Sequence, residues 1–337
     1  MQQAAASGRW SGPLASIFFG GGTPSLLSPA QIAAILATAD QNFALAADCE
    51  ISLEANPGTL TLSSLLGYRR AGVNRLSLGI QTLNPPALAL LGRIHSPDQS
   101  LQALTLARRA GFSNLACDLI FALPGQDLNA LKADVDSLLQ YEPEHFSCYG
   151  LTIEENTPLH ERVKRGELSP VGEESYAQQF LFLHQYLADA GYGHYEISNY
   201  ARPGFACRHN SRYWQRQACL GIGAGAHSFA DQQWGIRYAV PADLSAYGSA
   251  LKANLDPLTT VETFDRRGAM AETMYLGLRT RQGVYAGAFK ERFGEPLDGA
   301  FAEALNQCGG YLQREGDRRY LKPEGWLIFD HLILPFL

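Results

Sequence analysis

The sequence predicts an α/β fold in which a mainly parallel sheet is followed by a mainly helical C-terminal region. Over the first two thirds of the 337 residues, short apolar runs alternate with helical patterns in units of about 25 to 35 residues. From about Pro257 helical patterns dominate. Apolar residues make up 46% and charged residues 18%, enough for a large core. Periodicity alone leaves a barrel and a doubly wound sheet open.

Each predicted strand of the first part ends at a turn signal, and a helix follows it. The strands are expected at residues 15–19, 51–55, 75–81, 114–122 and 145–151. Of the helices between them, the first is expected to open at residues 28–31 and the others to cover residues 62–71, 97–110 and 128–139, with a longer one at 176–190. The first of these helices has a capping box, because Ser28 precedes Pro29 and Gln31 stands three residues after Ser28.

The C-terminal region carries a small predicted β-wing at residues 310–323, with its turn at residues 315–317. Helices followed by a wing are typical of some DNA-binding domains, so a DNA-binding function is one interpretation. However, residues 257–337 hold 10 basic and 11 acidic side chains, a net charge of −1. A surface that tracks phosphates needs excess positive charge, so we expect a packing domain and no nucleic-acid partner.

Charge, hydropathy and cysteine spacing exclude further classes. The net charge is −6, which argues against a general polyanion binder. No apolar run reaches the length of a membrane span, and residues 1–10 do not resemble a signal peptide, so we expect a cytoplasmic protein. The six cysteines include no C-x2-C pair. A local zinc or iron-sulfur motif and a secreted disulfide framework are therefore not predicted.

Polar residues stand where the predicted strands end, which is the edge where β/α barrels build their sites. Glycines 20–22 and Thr23 form a turn whose bare amides can hold a ligand, with an ordinary glycine-rich turn as the alternative. Glu54 and Gln81 each end a strand, and a surface salt bridge is the alternative role for Glu54. Arg93 can pair with a carboxylate, and a solvated charge at a helix end is its alternative role. Asp118 interrupts an apolar strand, which favours a ligand-facing role.

A second cluster combines metal-ligating and flat aromatic side chains. It comprises residues 194–200, with His194, Tyr195 and Tyr200, followed by residues 207–214, with Cys207, His209, Asn210, Tyr213 and Trp214. Histidine and cysteine ligate metals, and aromatic rings offer surfaces to a planar ligand. A polar loop packed by aromatic residues is the alternative.

Five motifs, in this order, resemble the radical SAM family that contains the oxygen-independent coproporphyrinogen III oxidase and the heme chaperone HemW. They are Gly20-Gly-Gly-Thr-Pro-Ser25, Glu54-Ala-Asn-Pro57, the segment 74–81, the segment 118–126, and His209-Asn-Ser-Arg-Tyr-Trp214. The similarity runs from about residue 15 to the C-terminus. The last motif looks like the chaperone branch, with the oxidase, which decarboxylates two propionates of coproporphyrinogen III, as the alternative function.

The resemblance implies a partial (β/α)6 barrel that lacks its first strand, with a mainly helical C-terminal domain bearing the wing. It implies a barrel core at residues 1–172, an extension with the heme-linked motif at 173–256, and the C-terminal domain at 257–337. It also implies a site for S-adenosylmethionine formed by Gly21, Gly22, Thr23 and Glu54. Gln81, Arg93 and Asp118 match positions that contact a second S-adenosylmethionine in the oxidase. His209, Asn210, Tyr213 and Trp214 match the motif linked to heme binding.

The sequence departs from the family at one feature. Family members begin with a C-x3-C-x2-C loop whose thiolates hold a 4Fe-4S cluster, and no such triad is present here. We therefore expect these cysteines upstream of Met1, in a longer protein of which this chain is a fragment, and no activity as an oxidase in this form. The implied partners are heme and heme-accepting respiratory proteins, with peripheral membrane association left open.

Overall fold

A computed structural model describes all 337 residues, and the chain separates into two compact units. The first unit comprises Ser16–Leu36 and Cys49–Ala206, and the second comprises Met1–Ala15, Ala37–Asp48 and Cys207–Leu337. The division after residues 172 and 256 that the sequence suggested stays a prediction. No helix combines the length and the apolar composition that crossing a bilayer requires.

Most of a seven-stranded sheet lies in the first unit, and the first residues of its two N-terminal strands belong to the second unit. The strands of this sheet are β1 (Leu14–Phe19), β2 (Leu45–Ala55), β3 (Arg75–Gln81), β4 (Leu115–Phe121), β5 (His145–Gly150), β6 (Gly193–Glu196) and β7 (Asn199–Ala201). They lie in the order β1-β2-β3-β4-β5-β7-β6. β2 to β5 are parallel, and β7 pairs antiparallel with both β5 and β6. This curled half-barrel confirms the predicted α/β class and partial barrel.

Helices connect the parallel strands, and their ends follow the expected signals. The helices up to residue 189 are α1 (Gln2–Ala6), α2 (Pro29–Phe43), α3 (Leu62–Ala71), α4 (Pro85–Leu90), α5 (Pro97–Arg109), α6 (Leu128–Leu139), α7 (Pro158–Lys164) and α8 (Glu173–Asp189). Ser28 and Gln31 exchange the hydrogen bonds of the predicted capping box. Gly72 caps the C-terminus of α3, and its φ of 114° lies in the left-handed region that favours glycine.

The two faces of the parallel strands differ in polarity. Residues paired in a ladder share a face, as do residues two apart along a strand. One face therefore carries Ser52, Glu54, Arg75, Ser77, Asp118, His145 and Ser147. The opposite face carries buried apolar side chains that belong to the core, including Leu53, Leu76, Leu78, Leu119 and Phe146. The sheet thus turns a polar surface toward the inside of the half-barrel.

The second unit contains two small sheets and the C-terminal helices. Its strands are β8 (His227–Ala230), β9 (Ile236–Ala239), β10 (Thr259–Thr263), β11 (Val284–Tyr285), β12 (Leu312–Glu315) and β13 (Arg318–Leu321). Its helices beyond α1 are α9 (Arg208–Trp214), α10 (Leu244–Lys252), α11 (Arg266–Gly277), α12 (Ala286–Phe293), α13 (Leu297–Ala300), α14 (Ala302–Gln307), α15 (Pro323–Leu327) and α16 (Phe329–Ile333). The sheets are ordered β10-β9-β8 and β11-β13-β12. β12 and β13 form the predicted wing.

Candidate functional site

The glycine turn after β1 contacts the carboxylate that ends β2. The amide N–H of Gly21 donates to Glu54 Oε2 at 3.3 Å. Gly21 and Gly22 have φ angles of 79° and 63°, which side chains other than glycine rarely adopt. No atom lies within 4 Å of the position that a Cβ would take at either residue. The turn therefore presents open backbone beside a carboxylate.

The chain after this turn is fixed by hydrogen bonds to buried groups. The hydroxyl of Tyr68, a residue 1% exposed, lies within hydrogen-bond distance of the carbonyl oxygens of Ser25 and Leu27, at 2.9 and 2.8 Å. Ser25 Oγ and Thr59 Oγ1 lie 2.8 Å apart. Thr23 lies half-buried at the start of the short 3-10 helix Pro24–Leu26. The glycine turn is thus held on a rigid base, as a binding loop requires.

Asp118 lies on β4 among hydroxyl groups from both neighbouring strands. Ser77 Oγ on β3 donates to Asp118 Oδ1 at 3.1 Å and to Oδ2 at 3.3 Å. Ser147 on β5 also hydrogen-bonds the carboxylate. Arg75, two residues before Ser77 on the same face, is 2% exposed. The face therefore holds a buried positive charge between its carboxylates.

Burial sets the protonation of this face. It raises the pKa of Asp118 to about 6, although the hydrogen bonds from Ser147 and Ser77 and the charge of Arg75 act in the opposite direction. Burial also raises the pKa of Glu54, against the Gly21 N–H and Arg75. Burial and Arg75 together hold the pKa of His145 well below its usual range. His145 is thus neutral near pH 7, and its Nε2 lies 2.9 Å from the Tyr195 hydroxyl.

Gln81 and Arg93 occupy different positions around this face. Gln81 is buried with a φ of 69°, where the β3–β4 register shifts. Its Nε2 lies over Gly79, on the face that carries Arg75 and Ser77. Arg93 is half-buried after α4 and makes no ion pair with a carboxylate. The structure brings Gly21, Glu54, Gln81 and Asp118 to one side of the sheet, whereas no contact joins Arg93 to them.

Sequence reasoning missed several polar residues of the inner face. Arg75 and His145 begin their strands and Ser77 and Ser147 lie within them, whereas the search considered the C-terminal ends of strands. Their signal is the alternation of polar and apolar residues along each strand. That period of two would have placed Arg75 with Ser77 and His145 with Ser147, but only the register between strands puts both pairs on the face of Asp118.

The residues of this face suit S-adenosylmethionine. The ligand carries an ammonium group, a sulfonium and a ribose diol, for which carboxylates are good partners. Glu54 and Asp118 supply two carboxylates, and the amide of Gly22, beside the Gly21 N–H that Glu54 already accepts, can donate to the ligand's carboxylate.

The cysteines do not fit a 4Fe-4S cluster. Five of the six are buried and Cys219 is half-buried, and no three His, Cys, Asp or Glu side chains converge into a set that could hold a metal ion. Burial raises the pKa of Cys117 and Cys148, so these thiols stay protonated. The 337 residues therefore do not supply the thiolates that such a cluster needs.

The heme-linked motif forms α9 in the second unit. Because His209 and Tyr213 are four residues apart, they share one side of the helix, and His209 Nε2 lies 3.0 Å from the Tyr213 hydroxyl. The same hydroxyl lies 3.3 Å from Cys219 Sγ. Burial raises the pKa of Tyr213 and of Cys219. The His209 imidazole and the Cys219 thiol thus both contact the Tyr213 hydroxyl, so three side chains of types that can ligate a metal lie together.

The remaining motif residues lie on the same short helix. Asn210 is half-buried. Trp214 ends the helix with the Arg279 guanidinium over its ring, 5.2 Å from the ring centroid. At the other end, Arg208 Nη1 contacts Asp48 Oδ2 at 3.0 Å and donates to the Asp48 carbonyl at 2.6 Å. The sequence did not predict the roles of Cys219 and Arg279 beside this helix.

Comparison with known families places the fold in a class. Residues 2–138 match the model of the radical SAM superfamily, and residues 264–328 match the model of the HemN C-terminal domain. Among solved structures, the coproporphyrinogen III oxidase HemN from Escherichia coli superposes with a TM-score of 0.83 at 20% identity. The match covers 99% of this chain and 81% of that chain. This similarity establishes a common fold.

Curated relatives identify the family, within this superfamily, to which the chain is similar. The heme chaperone HemW of Lactococcus lactis is 33% identical over 326 residues, which cover 96% of this chain and 85% of the relative. The heme chaperone HemW of Escherichia coli K12 is 36% identical over 306 residues, which cover 88% of this chain and 79% of the relative. The chain therefore belongs to the radical SAM superfamily and, within it, to the family of the heme chaperone HemW.

Proposed function

We propose that this protein is a heme chaperone that binds heme at α9 and S-adenosylmethionine on the inner face of the half-barrel. The observation that carries the heme assignment is the His209–Tyr213–Cys219 cluster on and beside α9. His209 is partly exposed, and an imidazole nitrogen is a common axial ligand of heme iron. The names of the curated relatives support the same assignment.

The proposal assigns the polar residues separate tasks. Glu54 accepts hydrogen bonds from the ribose, and the amides of Gly21 and Gly22 face the methionine part. Asp118 and Gln81, with Arg93, line the position of a second S-adenosylmethionine. His209, Asn210, Trp214 and the aromatic ring of Tyr213 hold heme, which the protein then passes to respiratory proteins. The 4Fe-4S cluster that the family implies needs ligands outside these six cysteines.

A titration with hemin tests the heme assignment. We expect a saturable Soret band for the natural protein and, for His209→Ala, an affinity lower by at least about tenfold. His331→Ala is the matched control, because His331 is an exposed histidine in α16, outside the motif. Absence of a hemin-dependent spectral change in the natural protein would refute heme binding.

Two further measurements separate delivery from catalysis. Heme-loaded protein is mixed with membranes from heme-deficient cells, and we expect the absorption of the respiratory cytochromes to be restored. Retention of all heme by the protein would contradict delivery. The oxidase alternative predicts protoporphyrinogen from coproporphyrinogen III under anaerobic, reducing conditions in full-length protein that carries a reconstituted 4Fe-4S cluster. Detection of that product would replace the chaperone assignment.

A further inference from the structure

An arginine without a carboxylate partner lies against the heme-linked motif. The Arg279 guanidinium, two residues beyond α11, packs over three aromatic rings, at 5.2 Å from the Trp214 centroid, 5.7 Å from Tyr275 and 5.0 Å from Phe329. It forms no ion pair and no hydrogen bond with the chain, and its Nε is buried without a partner. Most other arginines of the second unit reach an acidic side chain, as Arg319 reaches Asp298 at 2.6 Å.

The indole of Trp214 presents a second unused donor at the same place. Its Nε1 is buried and has no hydrogen-bond partner. The neighbouring indole of Trp326, by contrast, donates to the carbonyl oxygen of Leu278 at 2.9 Å. Buried polar groups are nearly always paired, so two unpaired donors on side chains that pack against each other point to an acceptor that comes from outside the chain. The positive charge of Arg279 makes an anionic acceptor the best match.

We propose that Arg279 and the Trp214 indole N–H bind a carboxylate of the ligand that α9 holds. The assignment rests on the proposed function, in which that ligand is heme and the carboxylate is one of its propionates. A guanidinium offers a planar pair of donors that matches a carboxylate, and the three rings restrict its orientation before the ligand arrives.

Esterification of the propionates supplies the test, since hemin dimethyl ester keeps the iron and the ring but loses both negative charges. We expect the natural protein to bind hemin about tenfold more tightly than the dimethyl ester, which is the usual strength of a charge-assisted hydrogen bond. Arg279→Gln should lose this preference by weakening hemin alone. Trp214→Phe, which keeps a ring but removes the N–H, should lower the preference by a smaller factor.

Arg281→Gln is the matched control, because Arg281 is exposed, forms no ion pair and lies only two residues away. Arg279→Met retains the apolar stem over the rings if the glutamine variant does not fold. Equal weakening of hemin and ester by Arg279→Gln or Arg279→Met would show a packing role and overturn the assignment, as would an unchanged preference. If the natural protein binds neither compound, the proposed function fails as well, whereas hemin binding with an unaltered preference refutes this assignment alone.

Discussion

Ser77 on β3 donates its hydroxyl hydrogen to the carboxylate of Asp118 on β4, at 3.1 Å to Oδ1 and 3.3 Å to Oδ2. This bond joins neighbouring parallel strands on the polar inner face of the half-barrel. It lies beside Arg75, whose charge also favours the ionised form of Asp118. Burial nevertheless dominates, so the unliganded protein carries a carboxylate whose charge destabilises the fold at neutral pH.

Asp118→Asn should therefore stabilise the unliganded protein above pH 7. The folded pKa of about 6 exceeds the ordinary value of 3.8, so the folded state binds a proton more readily than the unfolded state between these values. The contribution of this group to stability is consequently largest at low pH and is lost as pH rises through 6. We expect a gain of about 2 to 3 kcal/mol at pH 8, which shrinks as pH falls toward 4. Melting temperatures of both proteins across this range measure it, and a gain independent of pH would contradict the assignment.

Glu54→Gln should weaken S-adenosylmethionine binding without unfolding the chain. A glutamine oxygen can still accept the Gly21 N–H, so the glycine turn keeps its contact. The loss of the negative charge removes a charge-assisted hydrogen bond to the ribose, and we expect an affinity lower by about tenfold. Titration calorimetry measures the change. Glu173→Gln at the exposed start of α8 is the control, and equal effects from both variants would argue against a ribose contact by Glu54.

Tyr213→Phe should increase the affinity for hemin. In the free protein the Tyr213 hydroxyl occupies His209 Nε2, and iron coordination through this atom requires that the contact break. Removal of the hydroxyl takes away a hydrogen bond of about 1 kcal/mol, which corresponds to an increase of about fivefold. Hemin titration of both proteins measures the difference. A strong decrease with a changed Soret band would instead identify the Tyr213 oxygen as the iron ligand.

Glu272→Gln should destabilise the second unit. The Glu272 carboxylate on α11 is buried and pairs with both Arg216 and Arg237. Arg216 is 5% exposed, so the neutral variant would leave a buried positive charge without its counterion. We expect a loss of about 3 kcal/mol. Urea unfolding of the variant and of the double variant Arg216→Met/Glu272→Met measures it; the double variant should lose less, and an equal loss would indicate a packing defect.

Much of the fold could be predicted from local signals. Strand β3 and helix α6 have the predicted bounds, because apolar periodicity and turn residues mark both ends of each element. Strand β2 is longer than expected, since it begins at Leu45 within a segment that contains Asp48 and Glu50. Such polar residues hide a strand from a search for apolar runs. The rest of a strand's length depends on its partners, which are distant in sequence.

Like the fold, the candidate site could be predicted from the sequence only in part. The sequence predicted Gly21, Glu54 and Asp118 as site residues because each interrupts or ends an apolar run. Glu54 and Asp118 are also conspicuous because charged residues are rare in such runs. Arg75 and Ser147 could not be predicted as site residues, since nothing local in the sequence indicates that they face Asp118. Arg279 lies 65 positions beyond Trp214, and only the packing of the chain after α11 against α9 brings them together.

The sequence by itself determined the α/β class, the order of the elements and the motifs that mark the family, because these depend on side-chain periodicity and on residues close along the chain. The tertiary structure alone decided which polar groups share a face, which are buried and which lack a partner. Those properties arise from contacts between distant segments and from exclusion of water. They set the pKa of Asp118 and leave Arg279 beside the motif helix without a counterion.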